Sequence, residues 1–197
     1  IRTELGRQIR RAFVPRAVGH VFLSADYSQI ELRLLAHLSG DAALRSAFRE
    51  GVDVHRRTAA LIAGVPEPEV SADQRSRAKA INFGVIYGQT DFGLSKGLGI
   101  HKAEAAKFIT AYFERYAGIA RFLERTVAEA RDKGYCQTLS GRRRFLPDLR
   151  SANRSVRLAA EPLARNTPIQ GTAADILKVA MVRVQEALHR EHLSSRM

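Results

Sequence analysis

Apolar residues recur every three or four positions along most of the chain, which is the spacing of helices with one buried face. Each such segment is bounded by residues that favour helix ends, commonly an aspartate or serine before it and a glycine after it. The pattern predicts helices at Ile30–Leu38, after Asp41, from Asp53 to Gly64, from Ser71 or Asp73 to about Tyr87, and at Lys102–Tyr116, Ile119–Lys133, Ser155–Arg165 and Ala173–Arg190.

Two other regions have the length and composition of strands. Val21–Ala25 is a short apolar run that ends at Asp26. Tyr135–Leu139 and Arg143–Leu146 are separated by a serine and a glycine, which predicts a hairpin. The fold class expected from these elements is mixed α/β, with helix in the majority and short antiparallel strands.

Two carboxylates follow the first predicted strand. Asp26 would sit on rigid backbone at the strand end, and Mg²⁺ prefers such oxygen ligands, although an aspartate there could simply begin a turn. Glu31 lies three residues after Ser28, the spacing of a capping box, so the residues alone predict a capping role for Glu31.

One predicted helix carries four side chains of complementary chemistry on a single face. Arg75, Lys79, Phe83 and Tyr87 recur every fourth residue, so two cations are followed by two rings. A nucleoside triphosphate needs positive charge for its phosphates and flat apolar surface for its sugar and base. The alternative is an amphipathic helix whose rings enter the core, which leaves the aligned cations unexplained.

The composition of the chain indicates a polyanionic binding partner. The 197 residues include 32 Lys and Arg against 20 Asp and Glu, a net charge of +12 at pH 7. Such an excess favours nucleic acid, because each cation placed on a phosphate releases counterions, although a protein can be basic without such a partner. The single cysteine excludes an internal disulfide, and no apolar run reaches the roughly 18 residues of a membrane span.

Four longer segments together resemble the family A DNA polymerases, in the order in which that family has them. They are Asp26–Asp41, Arg75–Gly88, Ser140–Arg144 and Pro168–Asp175. The resemblance implies a polymerase palm with short antiparallel strands and a helical fingers subdomain. It divides the chain into a first palm part at 1–40, fingers at 41–152 and a second palm part at 153–197.

The resemblance also implies roles for individual residues. Asp26 would be a catalytic, metal-binding carboxylate with the carbonyl of Tyr27 as a second ligand, and Glu31 would exclude a ribose 2′-hydroxyl. Lys79 would be both catalytic and nucleotide-binding. The other implied nucleotide-binding residues are Gln29, His55, Arg75, Phe83 and Tyr87. The residues implied to face primer–template DNA are Arg33, Asn166 and Gln170. The positive charge of Arg142, Arg143 and Arg144 makes them candidate DNA phosphate contacts, and a solvated face is the alternative.

The implied reaction adds deoxynucleoside triphosphates to a primer 3′-hydroxyl with two Mg²⁺ ions, in a monomeric enzyme of the bacterial cytoplasm. The family's remaining catalytic carboxylates lie in a segment expected beyond Met197, so the 197 residues are expected to be inactive alone. Pro162 stands where the family usually has arginine, which predicts a helix start or kink there.

Two rival functions remain. A nucleic-acid-binding module without catalysis explains the charge but not the joint presence of Asp26, Glu31 and the aligned helix face. A single-subunit RNA polymerase is the other, and Glu31 argues against it, because a carboxylate there would obstruct ribonucleotides.

Overall fold

The structure is a computed structural model that describes residues 3–86 and 88–197. The helices are α1 Glu4–Arg11, α2 Ile30–Ser39, α3 Ala42–Arg49, α4 Val54–Ala63, α5 Ala72–Ile86, α6 Asp91–Leu98, α7 Lys102–Arg115, α8 Ala117–Lys133 and α9 Arg154–Arg190. Strands β1 (Tyr135–Gln137) and β2 (Arg143–Phe145) pair antiparallel, with Tyr135 opposite Phe145. The predicted helix-rich fold with short antiparallel strands is confirmed.

Helix α5, which carries the aligned cations, begins at a capping box. Ser71 Oγ accepts from the backbone N–H of Gln74 at 3.1 Å, and Gln74 Oε1 accepts from the N–H of Ser71 at 2.8 Å. Both groups satisfy helix-terminal donors that would otherwise lack partners. Of the two predicted caps, the structure therefore selects Ser71 rather than Asp73.

The main core lies where α2 meets its neighbours. Leu32 and Leu35 of α2 are fully buried and cluster with Leu44 of α3, Ile119 of α8 and Ile169 of α9. A second cluster joins the hairpin to α8 and α9, and small side chains line a third between α4 and α5. Helix α2 is thus held in place from several sides at once. No helix among the described residues combines the length and apolar character that a membrane crossing requires.

Asp41 joins two helix starts with one carboxylate. Its Oδ1 accepts from the N–H of Leu44 at 3.0 Å, as the predicted N-cap of α3, and its Oδ2 accepts from the N–H of Gly118 in α8 at 2.9 Å. Asp41 is only 6% exposed. A Cβ at position 118 would lie 2.9 Å from the Cα of Asp41. The absence of a side chain at Gly118 is therefore what lets the two helix ends meet.

The predicted strand at Val21–Ala25 is not formed. Residues 20–27 have no regular secondary structure, and Val21 and Leu23 are 86% and 94% exposed. A strand is held by hydrogen bonds to a neighbouring strand, and the described residues place none beside this segment. Apolar composition alone could not supply that partner.

The predicted helix cap at Ser28 is also wrong. The N-cap residue is Gln29, which lies in the left-handed region at φ 54° and makes no side-chain capping bond. The helix therefore begins at Ile30, and Glu31 is its second residue rather than the third, as a capping box requires. Ser28 and Glu31 have the spacing of a capping box, but the N-cap of the helix is one residue later, at Gln29.

The predicted pair of helices after residue 153 is a single helix, α9, of 37 residues, and it runs through both Pro162 and Pro168. The predicted helix start at Pro162 is therefore wrong.

A proline in a helix leaves the carbonyl oxygen four residues earlier without a hydrogen-bond donor. For Pro168 that carbonyl belongs to Ala164, and the Cys136 thiol of the hairpin donates to it at 3.4 Å. Tertiary packing thus replaces a hydrogen bond that the sequence of the helix removes.

The Asp41–Gly118 contact gives a stability prediction. Gly118→Ala should lower the free energy of unfolding by about 1–3 kcal/mol, because the new methyl group overlaps the Asp41 backbone. Urea denaturation measures this. The matched control is Gly97→Ala in α6, where the nearest atom to a new Cβ is a Gln89 side-chain nitrogen at 3.8 Å. The control should be neutral or stabilising, and equal destabilisation in both variants would contradict the steric argument.

Candidate functional site

The side chains of α5 predicted to hold a nucleotide lie beside α4. Ala59 and Ala60 of α4 and Ala78 of α5 are buried together, and their small size lets the two helices approach closely. Arg75, Lys79 and Phe83 fall on successive turns of α5, as predicted. The prediction for Tyr87 lies outside the described residues.

Arg75 is held by the residue that begins α4. Its Nε lies 2.7 Å from Asp53 Oδ2, while Asp53 Oδ1 accepts from the N–H groups of His55 and Arg56 at 3.0 and 3.1 Å. Burial alone would raise the pKa of Asp53, but the bonds from Arg75 and the backbone outweigh it and lower the pKa below its ordinary value. A charged Asp53 therefore caps α4 and orients the guanidinium of Arg75.

His55 lies between these charges and the ring of Phe83. It is 3% exposed, and its ring centroid is 5.8 Å from that of Phe83. Burial lowers the pKa of His55, Asp53 opposes this, and the positive charges of Arg75 and Lys79 lower it further. The structure therefore brings His55, Arg75, Lys79 and Phe83 together, and it favours the neutral imidazole.

Asp26 and Tyr27 occupy the segment without regular structure that precedes α2. Both are exposed, and the described residues contain no group of three or more His, Cys, Asp or Glu that could hold a metal ion. Mg²⁺ needs about six oxygen ligands in octahedral geometry. The Asp26 carboxylate and the Tyr27 carbonyl could provide some of the ligands of one Mg²⁺ ion. They are too few to complete a site that holds two ions.

The start of α2 holds three further predicted residues. Glu31 is half-buried on its first turn, next to the N-cap Gln29. Arg33 donates from Nε to the carbonyl of Ser28 at 3.0 Å, and its guanidinium lies 4.8 Å from the centre of the Phe48 ring. Arg33 therefore ties the irregular segment to the helix and remains exposed.

The hairpin arginines differ in their surroundings. Arg142 donates from Nε to Asp175 Oδ1 at 2.7 Å and from Nη2 to the carbonyl of Gly171 at 3.0 Å, so it fastens the hairpin to α9. Hydrogen bonds from Ser140 and Thr138, and then the bond and charge of Arg142, lower the pKa of Asp175 to about 2. The guanidinium of Arg143 lies 4.7 Å from the centre of the Tyr135 ring, and Arg144 is exposed.

The two predicted DNA contacts on α9 also differ. Gln170 is exposed, whereas Asn166 has a buried Oδ1 with no hydrogen-bond partner among the described residues. The chain just beyond α5 approaches this part of α9, since a Cβ at Gly88 would lie 3.4 Å from Arg165 Nη1 and 3.6 Å from Pro162 Cβ. The segment that follows α5 therefore lies next to the turn of α9 that precedes Asn166. Among the described residues, no interaction links Asp26 to the aligned side chains of α5 or to Asn166 and Gln170.

Sequence reasoning missed two residues of this site. Asp53 was identified only as a helix cap, although a capping carboxylate has a second oxygen for another partner. Asn82 was given no role, yet it is fully buried and contacts His55. A polar amide beside apolar Ile81 in a helix was the available signal for a buried hydrogen-bond network.

The family model of DNA polymerase family A matches residues 1–197. The chain belongs to DNA polymerase family A. It is 55% identical over 188 residues to DNA polymerase I of Streptococcus pneumoniae, covering 95% of this chain, and 53% identical over 196 residues to that of Pseudomonas aeruginosa, covering all of it. The chain spans 21% of the length of each of these curated relatives.

A solved structure shares the fold. The chain matches the POL domain of Pol1 from M. smegmatis with a TM-score of 0.90 and 49% identity, covering all of this chain and 35% of the other. That structure is a complex with DNA primer-template and dNTP.

The buried His55 gives a pH prediction. Because its pKa in the folded chain is below its ordinary value, the unfolded chain binds more protons as the pH falls through about 6.5, and stability is lost there. We expect the free energy of unfolding to fall between pH 7.5 and 5.5, by at most about 1.4 kcal/mol per pH unit from this one group. His55→Gln should remove that contribution in urea denaturation.

The matched control changes His20, an exposed residue in the irregular segment. His20→Gln should keep the pH dependence of the unmodified chain. Identical pH dependence in the His55→Gln variant and the unmodified chain would show that His55 is not responsible.

Proposed function

We propose that this chain forms the nucleotide-binding and template-contacting part of a DNA polymerase, which adds deoxynucleotides to a primer 3′-hydroxyl. The observation that carries the proposal is the grouping of His55, Arg75, Lys79 and Phe83 where α4 packs on α5. It is supported by the match to the POL domain of Pol1 from M. smegmatis, which was solved with DNA primer-template and dNTP.

Arg75 and Lys79 are proposed to bind the triphosphate. Asp53 accepts from Nε of Arg75, so the terminal nitrogens of the guanidinium could donate to phosphate oxygens while the ion pair persists. Lys79 is exposed one turn further on and supplies a point charge. Both would stabilise the negative charge that develops on the departing pyrophosphate, so Lys79 is proposed as a catalytic residue.

Phe83 and Tyr87 are proposed to contact the sugar and the templating base pair, respectively. Phe83 is half-buried, and its ring contacts that of His55 at a centroid distance of 5.8 Å. Glu31 is proposed to exclude a ribose 2′-hydroxyl, and Gln29 to contact the nucleotide beside it. Their support is their place at the first turn of α2, a helix anchored by fully buried leucines.

Asp26 and the carbonyl of Tyr27 are proposed as Mg²⁺ ligands. The ion would supply positive charge at the reacting phosphate. Since these two oxygens do not complete a two-ion site, the remaining ligands must come from substrate phosphates, water and other carboxylates.

The second candidate function is therefore binding without catalysis. We expect the 197 residues alone to bind DNA and nucleotide without joining nucleotides.

The primer–template is proposed to contact Arg33, Arg142, Arg143, Arg144, Asn166 and Gln170. A net charge of +12 favours a polyanion. Arg142 is proposed to act partly through its bonds to Asp175 and Gly171, which hold the hairpin on α9. The division into palm (1–40 and 153–197) and fingers (41–152), a monomeric state and a cytoplasmic location belong to the same proposal.

Primer extension tests the proposed activity. The assay uses the full product of the open reading frame that contains these residues, with Mg²⁺ and a primed template. Lys79→Gln should lower kcat/KM by about 10- to 100-fold, because a charge-assisted contact to the phosphates is lost. The matched control is Lys107→Gln on α7, which removes another exposed lysine and should leave the rate unchanged. Equal kcat/KM values for the two variants would show that Lys79 does not act in the proposed nucleotide site.

Sugar selection tests Glu31. Glu31→Ala in the same protein should raise ribonucleotide incorporation relative to deoxynucleotide incorporation by at least about tenfold, because the group that meets the 2′-hydroxyl is gone. Glu124→Ala, which removes an exposed carboxylate on α8, is the control. An unchanged ratio of the two kcat/KM values would limit Glu31 to a structural role.

A further inference from the structure

The hairpin of β1 and β2 depends on contacts outside itself for its position. Each of its strands has three residues, and a two-stranded hairpin is at most marginally stable in water. The base of the hairpin is attached to α9, because the Cys136 thiol donates to the carbonyl of Ala164 at 3.4 Å. The turn between the strands, residues 138–142, needs an attachment of its own.

A carboxylate of α9 provides that attachment. Asp175 Oδ1 accepts from Nε of Arg142 at 2.7 Å, and Asp175 Oδ2 accepts from the hydroxyl of Ser140 at 2.5 Å. Three residues earlier on α9, Thr172 Oγ1 accepts from the backbone N–H of Leu139 at 3.1 Å. Residues three apart share one side of a helix. We call these three hydrogen bonds the turn clasp.

The turn clasp also requires a position without a side chain on α9. A Cβ at Gly171 would lie 2.6 Å from Thr138 Cγ2, which is too short for two carbon atoms without a covalent bond. The carbonyl of Gly171 accepts from Nη2 of Arg142 at 3.0 Å. The turn and the helix are therefore in direct contact, and an added methyl group would separate them.

The three consecutive arginines of the hairpin differ in what holds them. Two nitrogens of Arg142 are bonded to α9. Arg143 and Arg144 are exposed, and within residues 3–86 and 88–197 no carboxylate or carbonyl accepts from either guanidinium. The charges of Arg143 and Arg144 are therefore accessible to a polyanion, and their position depends on how the turn is held.

We propose that Asp175 is a positioning residue for DNA binding, which holds the turn on α9 so that Arg143 and Arg144 meet phosphates of the primer–template in one fixed arrangement. The inference rests on the proposed DNA contacts and adds to them a residue with the same sign of charge as DNA. Repulsion alone would make a carboxylate near DNA weaken binding. The turn clasp predicts the opposite effect.

The first test measures the dissociation constant, Kd, of a labelled primer–template by fluorescence anisotropy, with the full product of the open reading frame. Asp175→Ala should raise Kd by about five- to tenfold although it removes a negative charge, because ordered charge-assisted contacts are lost. The slope of log Kd against log salt should fall by about one to two, as expected for the loss of up to two phosphate contacts.

The matched control is Glu129→Ala on α8. Glu129 is an exposed carboxylate whose partner at 2.8 Å is Lys133 of the same helix, so its removal changes the net charge equally without touching the turn. Glu129→Ala should leave Kd unchanged or lower it.

A second pair of variants displaces the turn without any change of charge. Gly171→Ala should raise Kd, because the new methyl group meets Thr138 Cγ2. Thr138→Ser removes that methyl group and keeps the hydroxyl, so adding it to Gly171→Ala should restore the Kd of the unmodified protein. Alanine favours helix more than glycine does. A loss of affinity in Gly171→Ala therefore cannot come from a weaker α9.

Hydrogen exchange reports the turn clasp in the absence of DNA. The backbone N–H of Leu139 donates to Thr172 Oγ1, so it should exchange slowly in the unmodified protein and faster in Asp175→Ala and Gly171→Ala. The double variant with Thr138→Ser should return to slow exchange. Mass spectrometry of short peptides from residues 138–142 measures this.

Unchanged or tighter DNA binding in Asp175→Ala, as in the control, would overturn the inference. Failure of Thr138→Ser to restore Gly171→Ala would do the same. If Asp175→Ala does not fold, the second pair decides by the same Kd measurement. An unmodified protein that does not bind primer–template would defeat the proposed function instead. Exchange at Leu139 still reports whether Asp175 holds the turn, so the two failures are distinguishable.

Discussion

The close contact between α4 and α5 is the constraint on which the candidate site depends. Ala59 and Ala60 meet Ala78 in a small buried cluster, and larger side chains there would separate the two helices. At this separation, Asp53 of one helix end reaches Arg75 and His55 reaches Asn82. The alanines take no part in chemistry, yet they set the distance between the groups that do.

Several polar side chains in this protein each make two hydrogen-bonding contacts, and some of them join two helices in this way. Asp53 caps α4 and holds Arg75, and Asp41 caps α3 while it accepts from the backbone of α8. Arg142 makes two bonds to a single element, one to a carboxylate and one to a carbonyl of α9. Each second bond adds a tertiary contact without burying a further polar group, which limits the desolvation cost of joining the elements.

Helix α9 shows how tertiary contacts offset an unfavourable local sequence. An interior proline costs about 3 kcal/mol in an isolated helix, and α9 contains two. Its middle portion is packed against the core through Ile169 and against the hairpin, whose Cys136 supplies a donor to the carbonyl freed by Pro168. Burial raises the pKa of Cys136 to about 11, so the thiol keeps the proton that it donates.

The sequence by itself determined the features that arise within a few residues of one another. Helical periodicity with Asp41, Asp53, Gly64 and Gly134 at the ends predicted most helix boundaries, and the four-residue spacing placed Arg75, Lys79 and Phe83 on one face of α5. These depend on backbone geometry and caps, which act over one or two turns.

Only the tertiary structure decided the features that need a distant partner. Val21–Ala25 has the composition of a strand, but a strand requires hydrogen bonds from another strand, which composition cannot supply. The 37 residues of α9 stay helical across Pro162 because packing outweighs local propensity. The buried contact between His55 of α4 and Asn82 of α5 joins residues 27 positions apart, and it forms only when those helices pack.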